Sequence, residues 1–157
     1  MNELFRLPTI AFSAEVVCAD GRHWKGQVFL PAAAPTHDGP ARAEEWMNDT
    51  APFFPFLAAG ENRSFLLNKR EIVVLTVEAS ADAGASEEGA GPVTRGVVVE
   101  AEDQRLRGLI RIEMPEDHTR ALDYLNRPEP FLTLCDGDRH HLIQKKRITR
   151  IVEIQEE

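Results

Sequence analysis

The feature that most limits what this chain can fold into is a stretch that occurs twice. Arg42-Ala43, Trp46-Met47-Asn48 and Pro52-Phe53 reappear as Arg120-Ala121, Tyr124-Leu125-Asn126 and Pro130-Phe131, at a constant spacing of 78 residues (120 − 42). After a two-residue gap the match resumes at a spacing of 76 (145 − 69), where Leu66, Lys69 and Ile72 answer Leu142, Lys145 and Ile148. Upstream, SAEVVCADGRHWKGQVFL is answered by GVVVEAEDQRLRGLIRI at a spacing of 82 (108 − 26). This sets Val16, Val17, Trp24, Val28 and Leu30 against Val98, Val99, Leu106, Ile110 and Ile112. Repetition on this scale predicts one supersecondary unit used twice.

Within each copy the pattern reads as β structure. Ala19-Asp20-Gly21-Arg22 separates two apolar runs, and an Asp-Gly there predicts a hairpin because glycine supplies the positive φ of a tight turn. Leu106, Gly108, Ile110 and Ile112 recur with period two, which predicts a strand with one buried face. A glycine inside such a strand predicts a bend. ARAEEWMN and TRALDYLN each predict about two helical turns, the second with Thr119 as N-cap and both ended by an Asn ahead of a Pro. Trp46-Met47 and Tyr124-Leu125 form the apolar sides of these helices and are expected to plug the end of a barrel. PFFPFL and PFLTLC predict the third strands, with Phe53 and Phe56 matched by Phe131 and Leu134. SFLLNKREIVVLTVE and HHLIQKKRITRIVEI predict the fourth and fifth, broken by Asn68-Lys69-Arg70-Glu71 and Gln144-Lys145-Lys146-Arg147.

The expected architecture is mainly β with short helices: two tandem five-stranded small β-barrels from an internal duplication. The boundaries are a lead-in over 1–12, a first repeat over 13–79, an acidic Gly/Ala-rich flexible linker over 80–94 and a second repeat over 95–157. Leu4, Leu7 and Ile10 of the lead-in are expected to cover an end of the first barrel. Domains this small bury only a marginal core, so the halves are expected to pack together or the chain to self-associate.

Charge and cysteine content narrow the function. A net charge of −8 and a pI near 5.2 oppose non-specific attraction to nucleic acid or anionic lipid, although a local basic patch survives such a total. No stretch approaches the roughly 18 consecutive apolar residues that span a bilayer, and no secretory signal is readable, which predicts a cytoplasmic protein without membrane contact. Cys18 and Cys135 fall at non-equivalent places in the two copies, so reduced, mostly buried thiols are expected in place of a disulfide framework.

In order of elements each half resembles the Sm-like family, which includes the bacterial RNA chaperone Hfq, and more broadly SH3-type barrels. The carrying residues are Val17-Cys18-Ala19-Asp20-Gly21-Arg22 with Gly26-Gln27-Val28, similar to the family's V-x-L-x-DGR-x-x-x-G-x-L stretch. Leu66-Leu67-Asn68-Lys69-Arg70-Glu71-Ile72 is similar to its final basic turn and strand. The second copy keeps Gly108 but has Glu102-Asp103 in place of Asp-Gly, and the helix-bearing insertions depart from the family. The halves also resemble short bacterial domains ending in LxxYLN…PF…L…LINKxxI. The Sm-like resemblance implies that Lys69-Arg70 and Lys145-Lys146-Arg147 stand where the family touches RNA. The competing reading makes them ordinary turn charges facing Glu71 or a neighbouring subunit.

Catalytic patterns are not readable: there is no G-x-S-x-G, phosphate-cradling glycine loop, CxxC or HExxH. His140-His141 alternate across a strand and cannot chelate one ion together, which predicts an exposed edge strand with one ring turned inward. Glu44-Glu45 and Glu100-Glu102-Asp103 read as solvated faces. The expectation is a non-enzymatic protein-interaction or scaffolding module that needs no cofactor or metal and binds another protein or its own copy, with an RNA-binding protein as the alternative. The candidate contacts are Lys69, Arg70, Lys145, Lys146 and Arg147, with Trp46 and Tyr124 beside them.

Overall fold

Period-two apolar runs become ten strands in the computed structural model, which describes residues 8–32, 42–61, 63–82, 93–112 and 121–154. In chain order these are β1 (Thr9–Cys18), β2 (His23–Pro31), helix α1 (Ala43–Asn48), β3 (Phe53–Ala58), β4 (Arg63–Asn68) and β5 (Ile72–Glu78). They continue as β6 (Val93–Ala101), β7 (Gln104–Ile112), helix α2 (Ala121–Leu125), β8 (Phe131–Asp136), β9 (Arg139–Gln144) and β10 (Ile148–Glu153). Single 3-10 turns at Lys69–Glu71 and Lys145–Arg147 join the fourth strand of each half to its fifth. No described helix is long and apolar enough to cross a membrane.

The mainly-β expectation with short helices holds, but closure differs. All ten strands lie in one open antiparallel sheet, ordered β10-β6-β7-β8-β9-β5-β1-β2-β3-β4. The order fifth, first, second, third, fourth thus occurs in both halves. The halves meet where β5 pairs with β9 in the register Val74 to Ile143 and Leu75 to Leu142. Two separately closed barrels do not form, because β5 and β9 take their outer hydrogen bonds from each other. For the same reason β9 is an interior strand rather than the exposed edge expected around His140-His141.

The segment boundaries also shift. β1 begins at Thr9 inside the supposed lead-in, with Ile10 opposite Leu30 in the ladder. Residues 79–82 form a 3-10 turn and β6 starts at Val93, within the supposed linker. Leu4, Leu7, Thr119 and residues 83–92 lie outside the described residues.

Register corrects one equivalence. Val16 pairs with Trp24 and Val99 with Leu106, so the copies are offset by 83 before the first hairpin turn (99 − 16) and by 82 after it (106 − 24). The cause is turn length. Cys18 and Arg22 enclose three residues, with Gly21 at φ 89, whereas Ala101 and Gln104 enclose two, with Glu102 at φ 52. Ala14, Val16 and Cys18 therefore match Val97, Val99 and Ala101, all buried, and a slip of one residue would have exchanged the two faces.

Close strand approach explains the glycines of β2 and β7. A Cβ on Gly26 would fall on the Leu57 carbonyl oxygen, and one on Gly108 would stand 2.5 Å from the Cys135 carbonyl oxygen. No larger residue lets β3 and β8 cross there.

Two hydrophobic clusters occupy opposite faces of the sheet. The first gathers Val16, Val28, Leu30, Met47, Phe54 and Phe56 around Ile72, Leu75 and Val77 of β5. The second gathers Val97, Val99, Ile110, Ile112 and Leu134 with Val73 and Val74 of the same strand. Val74 and Leu75 point to opposite faces, and the register irregularity that skips Val73 in the ladder with β1 shifts the alternation by one, so that β5 serves as a wall for both. Burial on both sides is why it reads as the nearly unbroken apolar run IVVLTV. In β3 Phe54 and Phe56 are buried and Phe53 faces out, although Phe53 holds the place of the buried Phe131 in the repeat.

Candidate functional site

The basic turns sit beside the junction of the halves, and each opens with a lysine whose ammonium bonds a backbone carbonyl. Lys69 is buried, and its Nζ donates to the Trp46 carbonyl oxygen and to Asp49 Oδ1, both at 2.7 Å. It caps the C-terminal end of α1, where helix carbonyls lack partners and a cation is favoured. Lys145, only partly buried, makes a looser counterpart, a 3.0 Å bond to the carbonyl oxygen of Arg127, two residues past the end of the second helix. Desolvation lowers its pKa against the opposing pull of Glu129. Arg147 reaches across the junction, donating from Nη2 (2.6 Å) and Nε (3.2 Å) to the Arg70 carbonyl oxygen and lying 3.4 Å from Glu102. Arg70 and Lys146 are exposed.

The aromatic candidates are packing residues. Trp46 is half-buried and meets Phe54 edge-on at 5.1 Å in the first cluster. Tyr124 packs on the second cluster, with the Arg127 guanidinium 5.6 Å from its ring centroid. The crevice between the helices, about 210 Å³ and lined by Glu44, Asn48, Tyr124, Arg127, Phe131 and Lys145 among others, is smaller than ligand pockets of roughly 300 Å³ and upward.

Sequence reasoning missed the polar residues that join the halves. Gln144 Nε2 approaches three carbonyl oxygens of the first turn, those of Lys69 (3.1 Å), Arg70 (3.0 Å) and Ile72 (2.8 Å). Asn48 Oδ1, at the end of α1, accepts from the Phe131 backbone N–H at 2.8 Å. His141, buried opposite Thr76, has Nδ1 2.8 Å from the Thr76 hydroxyl and Nε2 3.1 Å from Asp136 Oδ2. Hydroxyl, imidazole and carboxylate are also the parts of an acyl-transfer triad, but there the nucleophile faces Nε2 and the acid Nδ1, the reverse of this order. The imidazole is itself the buried polar group, and both its nitrogens find partners on the two adjacent strands. The available signal was the amide ahead of each turn lysine, Asn68 and Gln144, together with the Asn that ends each helix.

Other chemistry is sparse. No group of three or more His, Cys, Asp or Glu side chains is placed to hold a metal ion among the described residues. Burial pushes the Cys18 thiol above its ordinary pKa, with Asp20 and Glu71 adding to the rise against Arg22, so a reactive thiolate is disfavoured.

A further feature is the pair of outer strands. β4 and β10 end the sheet, and each presents apolar side chains, Leu66 on one and Val152 on the other. Comparison with protein-family models, with curated proteins and with solved structures finds no match.

Proposed function

We propose that this chain is a non-enzymatic protein-interaction module, made of two bent five-strand units of Sm-like small-barrel type from one duplicated sequence, which holds its partners along the free strand edges. The observation that carries the reading is a sheet that ends at both sides, among the described residues, in a strand paired on one side only and bearing exposed apolar residues. An edge of this kind presents a row of backbone donors and acceptors and is a template for an added strand. The packing of Trp46 and Tyr124 on the two clusters and the reversed imidazole relay support a scaffold over a catalyst.

The alternative, an RNA-binding protein working through the basic turns, rests on Arg70 and Lys146. Three of the five turn cations are engaged by backbone carbonyls, which leaves a small cationic face on a chain of net charge −8. RNA affinity that falls steeply with salt and disappears on Arg70→Ala with Lys146→Ala would replace the edge reading.

Photo-crosslinking tests the edges directly. A benzoylphenylalanine at Phe65 of β4 or Val152 of β10 is expected to yield covalent protein adducts in cells, and one at exposed Gln27 of β2 is not. Adducts absent from both edges, or equally abundant at Gln27, would refute the proposal.

A further inference from the structure

Resting on that reading, and naming the occupant of the edges, we infer that β4 of one copy pairs with β10 of a second copy, so that chains join head to tail. The junction inside the chain is the template. It pairs the fifth strand of the first half, β5, with the fourth strand of the second, β9. The strands left at the ends of the sheet are a fourth, β4, and a fifth, β10. One chain therefore carries both halves of a contact it has already made once.

Burial supports the same pairing. Phe131 and Leu142 lie on the β8–β9 side of the internal junction, packed into the first half's cluster with 4% and 0% of their surface exposed. Their counterparts at spacings of 78 and 76 are Phe53 and Leu66, 54% and 73% exposed. The same side chain is buried where a neighbouring half is present and bare where none is. On the opposite edge, Val152 is 42% exposed, at the position equivalent to Thr76 of the internal ladder.

The register carries over as well. Leu75 opposite Leu142 becomes Ile151 opposite Leu66, and Thr76 opposite His141 becomes Val152 opposite Phe65. Both new pairs are apolar, which favours cross-strand packing. The polar clasps have counterparts too. Asn48, which accepts from the Phe131 N–H, is matched by Asn126, with Phe53 in the place of Phe131. Gln144, which donates to the Lys69, Arg70 and Ile72 carbonyls, is matched by Asn68, facing the carbonyls of Lys145, Lys146 and Ile148 in the next chain. Arg147, 3.7 Å from Glu71 across the internal junction, is matched by Glu71, which would face Arg147 of the next chain, so opposite charges meet again, although no donor stands in for the bonds to the Arg70 carbonyl oxygen. Such a contact is heterologous, and it closes into a ring or runs on as a filament according to the rotation per copy.

Edge-blocked variants of the full chain test this. Leu66→Lys blocks β4 and Val152→Lys blocks β10, both at exposed side chains, and circular dichroism checks that each remains folded. By native mass spectrometry and sedimentation velocity, the wild-type protein is expected to be a homo-oligomer and each variant a monomer. Mixing the variants is expected to double the mass to a 1:1 dimer and no further, because one open β10 meets one open β4. A monomeric wild type, self-association of either variant alone, or a mixture that stays monomeric would overturn the inference. Adducts to a different protein at Phe65, found with a chain that is monomeric when pure, would remove only the self-copy occupant and leave the edge reading standing.

Discussion

Lys69 shows how a residue's type and its role part company. By composition it is a surface cation; in place it is a buried helix cap with two short bonds. Removing it strands the last carbonyls of α1, and Lys69→Ala is expected to lower the unfolding free energy by about 1–3 kcal/mol. Lys146→Ala, at an exposed site, should change it by less than about 0.5 kcal/mol. Urea unfolding midpoints compare the two, and equal losses would refute the capping role. Glu100 gives a second test at this scale. The Arg150 guanidinium on the facing strand, bonded at 2.8 and 3.2 Å, holds the Glu100 carboxyl below its ordinary pKa of 4.5. Because the folded state binds this proton less tightly than the unfolded chain, the pair stabilises above the ordinary glutamate pKa, and the effect is lost as pH falls through the folded value. In an NMR titration of Arg150→Gln, the Glu100 midpoint is expected to rise; an unmoved midpoint would assign the depression elsewhere.

Strands and bends were the most legible elements. Alternating apolar residues mark a strand whatever it pairs with, so the hairpin at Asp20-Gly21 and the bent strands around Gly26 and Gly108 could be read directly. Gly26→Ala and Gly108→Ala would each press a methyl group against a backbone carbonyl of the crossing strand and are expected to cost about 1–3 kcal/mol or more. Gly96→Ala, where the nearest atom to an added Cβ is 3.8 Å away, should stay within about 0.5 kcal/mol. Thermal unfolding of the three variants distinguishes a packing requirement from a general intolerance of change. Phase was less legible than existence. Val98 and Val99 look equally good as the partner of Val16, and only the length of the turn at Glu102-Asp103 decides that Val99 faces the core. Phe53 and Phe54 posed the same difficulty, since two adjacent rings carry no period and the face is chosen by β4.

Strand order between the halves was not legible at all. Periodicity tells which face of a strand is buried, never which strand lies beside it, so Gln144 and Asn48 had no readable role until β5 met β9. That meeting makes the chain one cooperative body, since Leu142 and Phe131 of the second half complete the first cluster and Val73 and Val74 of the first half complete the second. Thermal unfolding is expected to show a single transition, with near-ultraviolet and far-ultraviolet circular dichroism coinciding. Leu75→Ala should lower both halves together, by about 2–5 kcal/mol. Two resolved transitions would mean that the halves are independent. A further consequence lies in β5, where Ile72 and Leu75 answer to one core and Val73 and Val74 to the other. Most strands of a sheet have a permissive side on which mutations can drift and accumulate. This one has none along those four positions, so in a saturation scan it should be the least tolerant stretch of the chain, and the slowest to diverge in its descendants.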